Sequence, residues 1–147
     1  MATFVVLSVF EAEAARAARA LRPREGGATL VSLSGELGAG KTAFVKAAAR
    51  ALGVEEAVTS PTFVLEKVYQ LPSDRPFRRL VHIDAYRLES GGDLAALGFT
   101  GLMRDAGNLV MLEWPERVAA ALPPPAVRAA LAALPDGGRS LSYDPPL

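Results

Sequence analysis

The segment from residue 29 to residue 53 constrains the fold more than any other part of the chain. Residues 29–33 form a short apolar run, long enough for a buried strand. A glycine-rich stretch follows at 35–42, and the alanine-rich residues 43–52 predict a helix that Gly53 ends. A strand, a glycine-rich turn and a helix in this order are typical of an α/β fold with a parallel sheet.

The glycine-rich stretch, GELGAGKT, matches the pattern G-x-x-x-x-G-K-[ST] at every position. Glycines let such a loop turn its backbone N–H groups toward phosphate oxygens, and the helix that follows adds partial positive charge. We expect Lys41 to reach the β- and γ-phosphates of a nucleotide and the Thr42 hydroxyl to ligate Mg²⁺. The predicted nucleotide-binding residues of the loop are Glu36, Leu37, Gly38, Ala39, Gly40, Lys41 and Thr42.

Further periodic segments predict the rest of the sheet. Residues 1–10 are expected to form a strand and residues 11–21 a helix, because Ala, Glu and Arg are good helix formers. Other predicted elements are strands at 63–69, 79–84 and 109–112 and a short helix at 93–97. The expected fold is α/β, a single P-loop NTPase domain over residues 1–147 with a mainly parallel central sheet flanked by helices.

The tail of the chain gives a weaker signal. Residues 126–134 fit either a strand or a helix. The three prolines at 123–125 are expected to act as a spacer that separates this segment from the nucleotide core of residues 1–122.

Composition limits the classes of function. Lys and Arg together number 16, as do Asp and Glu, so the net charge is zero. A protein that binds RNA alone usually carries a basic excess, so any RNA role here needs a partner. No cysteine is present, which excludes disulfides and thiolate metal sites. No apolar run approaches the roughly 20 residues that span a bilayer, and no basic residue precedes the apolar start. We expect a cytoplasmic protein without membrane contact.

Two carboxylates are expected at the carboxyl ends of strands, where ligands bind in open α/β sheets. Glu113 directly follows the apolar run 109–112, where P-loop proteins usually have an Asp. We expect it to hold Mg²⁺ directly or through water. Asp84 ends the strand at 79–84 and is expected in the outer shell of the metal or beside the attacking water. Both are candidate catalytic residues, and the division of roles between them stays open.

Four neighbouring side chains have weaker predictions. Trp114 follows Glu113, so its indole should lie near the nucleotide. His82, the single histidine, is interpreted as a packed or hydrogen-bonded core residue. Tyr86 and Arg87 could face either a partner or the nucleotide.

Three short motifs follow the glycine-rich loop in a fixed order: TSPTF at 59–63, HIDAYRL at 82–88 and EWPE at 113–116. With the loop, they resemble the TsaE (YjeE-like) family from about residue 11 to residue 122. Members of that family are ATPases that join TsaB and TsaD to make threonylcarbamoyl-adenosine (t6A) beside the tRNA anticodon. The resemblance implies ATP and Mg²⁺ as ligands, low activity without partners, TsaB- and TsaD-like partners, and tRNA contacted indirectly. It also makes Thr59 and Ser60 candidates for a switch that senses the γ-phosphate.

Two other P-loop functions are weighed against this one. A small-molecule or nucleoside kinase would need an arginine-rich lid, for which Arg75, Arg78 and Arg79 are the candidates. A GTPase fits poorly, because no N-K-x-D tetrapeptide is present to read guanine.

Overall fold

The computed structural model describes residues 2–5, 7–58 and 65–147, which contain seven strands and four α-helices. The strands are β1 (Ala2–Val5), β2 (Thr29–Ser34), β3 (Glu66–Gln70), β4 (Arg79–Asp84), β5 (Asn108–Glu113), β6 (Val127–Ala133) and β7 (Arg139–Asp144). The helices are α1 (Leu7–Ala20), α2 (Lys41–Ala51), α3 (Gly91–Ala96) and α4 (Phe99–Met103). Two 3₁₀ turns, Pro115–Arg117 and Ala119–Ala121, follow β5.

All seven strands join one sheet in the order β1-β7-β6-β2-β5-β4-β3. The four central strands, β6, β2, β5 and β4, run parallel to one another. The outer pairings, β1 with β7, β7 with β6 and β4 with β3, are antiparallel. The predicted α/β fold with a parallel central sheet and flanking helices is therefore confirmed, and antiparallel strands extend the sheet at both edges.

Alternate residues of the central strands pack into two separate cores. Val31 and Leu33 of β2 face the core that α1 and α2 cover, whereas Leu30 faces the core beneath α3 and α4. The period of two is that of a strand buried on both faces, which is why β2 is a nearly continuous apolar run. The first core is the larger of the two, and it lies on the face of the sheet that α1 and α2 cover.

The expected strand over residues 1–10 is wrong in its second half, because α1 begins at Leu7. Phe10, Ala14, Ala17 and Leu21 are all buried in the first core. Their spacing of three and four residues is helical, and burial of this stripe against α2 outweighs the strand-like apolar composition of the first ten residues. Only β1 keeps the predicted extended conformation.

The expected separation of the tail from the nucleotide core is also wrong. β6 pairs directly with β2, with Val31 opposite Val127 and Ser34 opposite Ala130. Its side chains alternate between buried and exposed along the strand, so the ambiguous segment at 126–134 forms a strand. The alternation was hard to see in the sequence because alanine occupies both buried and exposed positions of this strand. Alanine also favours helices over strands.

Candidate functional site

The loop between β2 and α2 lies against the neighbouring strand β6. Gly35 has a φ of 153°, and a side chain there would place its Cβ 2.3 Å from the carbonyl oxygen of Leu131. Gly40 occupies the N-cap position of α2 with a φ of 106°, and it has no side chain to accept a hydrogen bond from the first amides of the helix. The first amide donors of α2 thus keep the partial positive charge of an uncapped helix end.

The other loop residues divide between the surface and the core. Leu37 is 76% exposed at the tip of the loop, whereas Ala39 is buried in the first core. The Ala39 amide donates to the Glu36 carbonyl at 3.0 Å, and Gly38 has a positive φ of 82°. The loop is therefore anchored at Ala39 and open to solvent at its tip.

Lys41 opens α2 and turns its ammonium group back onto the loop. Its Nζ donates to the carbonyls of Gly35 and Glu36, at 2.5 and 2.9 Å. The ammonium also lies 4.1 Å from the ring centroid of Trp114. Burial lowers the pKa of Lys41, while nearby carboxylates, Glu113 first, act in the opposite direction. A charged donor is thus held at the loop by neutral main-chain acceptors.

Glu113 lies buried at the end of β5, next to the start of α2. The Thr42 hydroxyl is 3.1 and 3.0 Å from its two carboxylate oxygens. The Nε2 atom of His82, on the adjacent strand β4, lies 2.6 Å from Glu113 Oε2. The carboxylate is therefore held between the helix and the neighbouring strand.

Asp84 lies beside Glu113 because the two residues are in register between β4 and β5. Its Oδ1 accepts a hydrogen bond from the Tyr86 amide at 3.0 Å. Burial raises the pKa of Asp84, the Tyr86 amide lowers it, and the negative charge of Glu113 raises it further. Two carboxylates thus share the carboxyl edge of the sheet.

Trp114 adopts left-handed backbone geometry, with a φ of 60°. This conformation is uncommon for a large side chain and turns the chain sharply at the end of β5. The Lys41 ammonium lies over the indole, whose ring centroid is also 5.0 Å from that of Tyr86. Tyr86 is about two-fifths exposed, so this aromatic pair connects the loop lysine to the surface.

Most of the sequence-predicted site residues lie together at this edge. The loop residues, Asp84, Glu113 and Trp114 surround the start of α2. Thr59 and Ser60 fall in residues 59–64, outside the described part of the chain, so their role stays a prediction.

His82 is the hydrogen-bonded core residue that the sequence predicts, but the identity of its partner was not predicted. It is fully buried, as expected of a core histidine, but its partner is the site carboxylate Glu113. The signal was the spacing of two between His82 and Asp84, which puts both side chains on the same face of β4.

The residues present fit a hard cation that takes most of its ligands from phosphate and water. Within residues 2–5, 7–58 and 65–147, no group of three or more His, Asp or Glu side chains could hold a metal ion. The Thr42 hydroxyl and the Glu113 carboxylate offer the oxygen donors that Mg²⁺ prefers. Such a sparse donor set is typical of magnesium bound together with a nucleotide.

A strand, a GxxxxGKT loop and a helix at the carboxyl edge of parallel strands, with a carboxylate from the adjacent strand, define the P-loop NTPase fold. Every helix in the described ranges is too short or too polar to cross a membrane.

Comparison with known proteins gives the family. The family model "Threonylcarbamoyl adenosine biosynthesis protein TsaE" matches residues 9–141, so this chain belongs to the TsaE family. The match continues past residue 122 into the tail, which the sequence motifs did not reach.

Individual relatives agree with this membership. A tRNA threonylcarbamoyladenosine biosynthesis protein TsaE from Treponema pallidum is 42% identical over 114 residues, 78% of this chain and 80% of that protein. The protein of the same name from Streptomyces coelicolor is 47% identical over 88 residues, 59% of this chain and 57% of its own length. The crystal structure of Bacillus subtilis YdiB superposes with a TM-score of 0.75 at 25% identity, covering 97% of this chain and 83% of that one.

Proposed function

We propose that this protein is the ATPase subunit that acts with TsaB- and TsaD-like proteins to make t6A in tRNA. Membership of the TsaE family supports the pathway. One observation supports the proposed ATPase activity: Lys41, Thr42 and Glu113 converge at the carboxyl ends of β2 and β5. This is the arrangement that phosphate and magnesium binding require.

The loop would bind the phosphates of ATP. The Lys41 ammonium donates to two neutral carbonyls. A phosphate oxygen would outcompete them because its negative charge adds a Coulomb attraction that a neutral carbonyl lacks. The uncapped N-terminus of α2 points its amide donors toward the same position. The open loop tip at Leu37 leaves the phosphates a path into the cradle.

Thr42 and Glu113 would hold Mg²⁺, which when bound neutralises charge on the β- and γ-phosphates. Asp84, in register with Glu113, would accept a hydrogen bond from the attacking water and orient it. Its partial burial and its carboxylate neighbour keep this group basic enough for that role.

Partners would complete the activity in the cytoplasm, where tRNA is modified. The chain carries no net basic excess with which to bind RNA alone, so tRNA would be held mainly by the TsaB- and TsaD-like proteins. Groups supplied by a partner raise the rate of other P-loop proteins by about 10³–10⁵. We expect slow hydrolysis by the isolated chain and faster hydrolysis in the assembly, with Thr59 and Ser60 coupling the two.

The kinase alternative loses its candidate lid. Arg79 pairs with Asp105 and Asn108 at the amino end of β4, and Arg78 also contacts Asp105. Arg75 donates to the Leu52 carbonyl at the C-terminus of α2. All three arginines therefore lie toward the amino ends of the parallel strands, whereas the loop lies at the carboxyl ends.

Reconstitution tests the proposal. The full chain is mixed with TsaB- and TsaD-like proteins, tRNA, threonine, bicarbonate, ATP and threonylcarbamoyl-AMP synthase, and tRNA nucleosides are analysed by mass. Repeated rounds of t6A formation should require this chain. Lys41→Ala should fail to replace it. Equal t6A formation with the chain omitted would overturn the proposed function.

A further inference from the structure

The Glu113 carboxylate has a donor that the loop does not provide. His82 Nε2 lies 2.6 Å from Glu113 Oε2, and the two side chains are 0% and 3% exposed. Since an ionised carboxylate only accepts hydrogen bonds, the imidazole donates its Nε2 proton here. We propose that His82 is a positioning residue that keeps Glu113 turned toward Thr42, ready for Mg²⁺. This inference rests on the proposed function, because it takes Glu113 as a magnesium ligand.

The register of β4 and β5 explains why such a donor is needed. Glu113 is opposite Asp84, while His82 is opposite Met111, two positions back along the strand. Glutamate has one more rotatable bond than aspartate, so its carboxylate is less constrained at the end of a strand. The contacts with His82 and Thr42, from two different elements, remove that freedom.

Binding of a cation would affect the Thr42 and His82 contacts of Glu113 differently. The Thr42 hydroxyl donates to Glu113, and to ligate a metal it would instead have to present its lone pair. His82 has no such second task, so it could keep its hydrogen bond to Oε2 and leave Oε1 available as a metal ligand. Outer-shell partners of this kind are typically worth about 10–100-fold in metal affinity.

The rest of the imidazole argues against a role in packing alone. His82 Nδ1 is buried and has no hydrogen-bond partner in the described residues. An unsatisfied buried polar atom costs stability that an apolar side chain of similar size would not. Leu80, two residues earlier on the same face of β4, is such an apolar side chain.

The test compares three variants of the full chain: His82→Leu, which removes the donor, His82→Gln, which keeps one, and the control Leu80→Ala, which weakens the same core. Calorimetry measures the affinity for a non-hydrolysable ATP analogue with Mg²⁺ and with EDTA. His82→Leu should reduce the gain in affinity due to Mg²⁺ by about 10–100-fold, with metal-free binding unchanged. His82→Gln should keep most of the gain, and Leu80→Ala should lower the melting temperature without changing the gain.

A double-mutant cycle separates positioning from a general structural effect. If His82 acts through Glu113, adding His82→Leu to Glu113→Gln should cause no further loss of the magnesium effect. Should His82→Leu fail to fold, His82→Asn, whose amide is too short to reach Glu113, replaces it. A wild-type magnesium effect that survives loss of His82 overturns this inference. Absence of any magnesium effect in the wild type instead contradicts the proposed function.

Discussion

Charged side chains are arranged differently at the amino and carboxyl ends of β4 and β5. At the amino ends, Arg79 pairs with Asp105 and hydrogen-bonds Asn108, so opposite charges lie in direct contact. At the carboxyl ends, Lys41 forms no ion pair within the described residues, although Glu113 and Asp84 are close enough to affect its pKa.

We interpret the amino ends of these strands as a structural region and the carboxyl ends as the proposed binding site. Charges that pair with each other stabilise the fold and leave nothing for a ligand. Charges that are held apart, the ammonium by main-chain acceptors and the carboxylate by neutral donors, can still bind a ligand, at the cost of some stability. The carboxyl ends of the strands thus keep an ammonium group and two carboxylates close together without an ion pair to Lys41, as the proposed binding of an anion and a cation requires.

The largest effect is expected from removing the loop ammonium. Lys41→Ala should lower ATP affinity at least about tenfold, because each charge-assisted hydrogen bond is worth about 1.5–3 kcal/mol. Arg79→Ala, the matched change at the amino edge, should lower the free energy of unfolding by about 1 kcal/mol and leave ATP affinity unchanged. Calorimetry and thermal unfolding measure both quantities. Equal loss of ATP affinity in the two variants would remove the distinction between the edges.

The next effect separates the two carboxylates of the site. Glu113→Gln should raise the Mg²⁺ concentration for half-maximal hydrolysis by about tenfold, since a neutral amide is a poorer ligand for a hard cation. Asp84→Asn should instead lower kcat with ATP affinity retained. Steady-state kinetics over a range of Mg²⁺ concentrations distinguishes the two. The reverse pattern would exchange the roles.

A smaller effect concerns stability and pH. Because burial raises the pKa of Asp84, the folded state binds this proton more tightly than the unfolded chain. Stability therefore falls as pH rises from the ordinary value of 3.8 through the raised pKa of the folded state. Asp84→Asn keeps the acceptor for the Tyr86 amide and should melt a few degrees above the wild type at neutral pH. At about pH 3 the difference should vanish.

The control for that effect is Asp105→Asn at the amino edge. This change removes the charge partner of Arg79 and should lower, not raise, the melting temperature at neutral pH. If both asparagine substitutions shifted the melting temperature in the same direction, the proposed contrast between the two ends of the strands would be contradicted.

The smallest effect is optical. Since the Lys41 ammonium lies over the Trp114 indole, ATP binding that draws Lys41 to a phosphate should change the emission of the single tryptophan. The change should be absent in Lys41→Ala. Emission that stays constant during an ATP titration at saturating Mg²⁺ would mean that the ammonium does not leave the ring.

The sequence was sufficient for the parts of the fold that local pattern determines. β4 has its predicted bounds of Arg79–Asp84, and β2 and α2 flank the loop as expected. The tail was harder, because β6 is specified by pairing with β2 and not by its own alanine-rich composition. The start of α1 was missed for a similar reason, since Phe10 is helical through packing against α2 and the sheet.

The positions of the candidate site residues in the fold could be predicted from the sequence, but the contacts between them could not. Glu113 and Asp84 followed from their positions at strand ends, and the register brings them side by side. The link from His82 to Glu113 depends on rotamers and on a diagonal contact between strands, which no single segment encodes. The left-handed turn at Trp114 was likewise hidden, because an aromatic residue gives no signal for a positive φ.

The most direct test of the central claim is a crystal structure of the full chain with Mg²⁺ and a non-hydrolysable ATP analogue. The predicted result is that Lys41 Nζ leaves the carbonyls of Gly35 and Glu36 for the β- and γ-phosphates, while the Arg79–Asp105 pair stays unchanged. Phosphates bound away from residues 35–42, with Lys41 still on those carbonyls, would contradict the account.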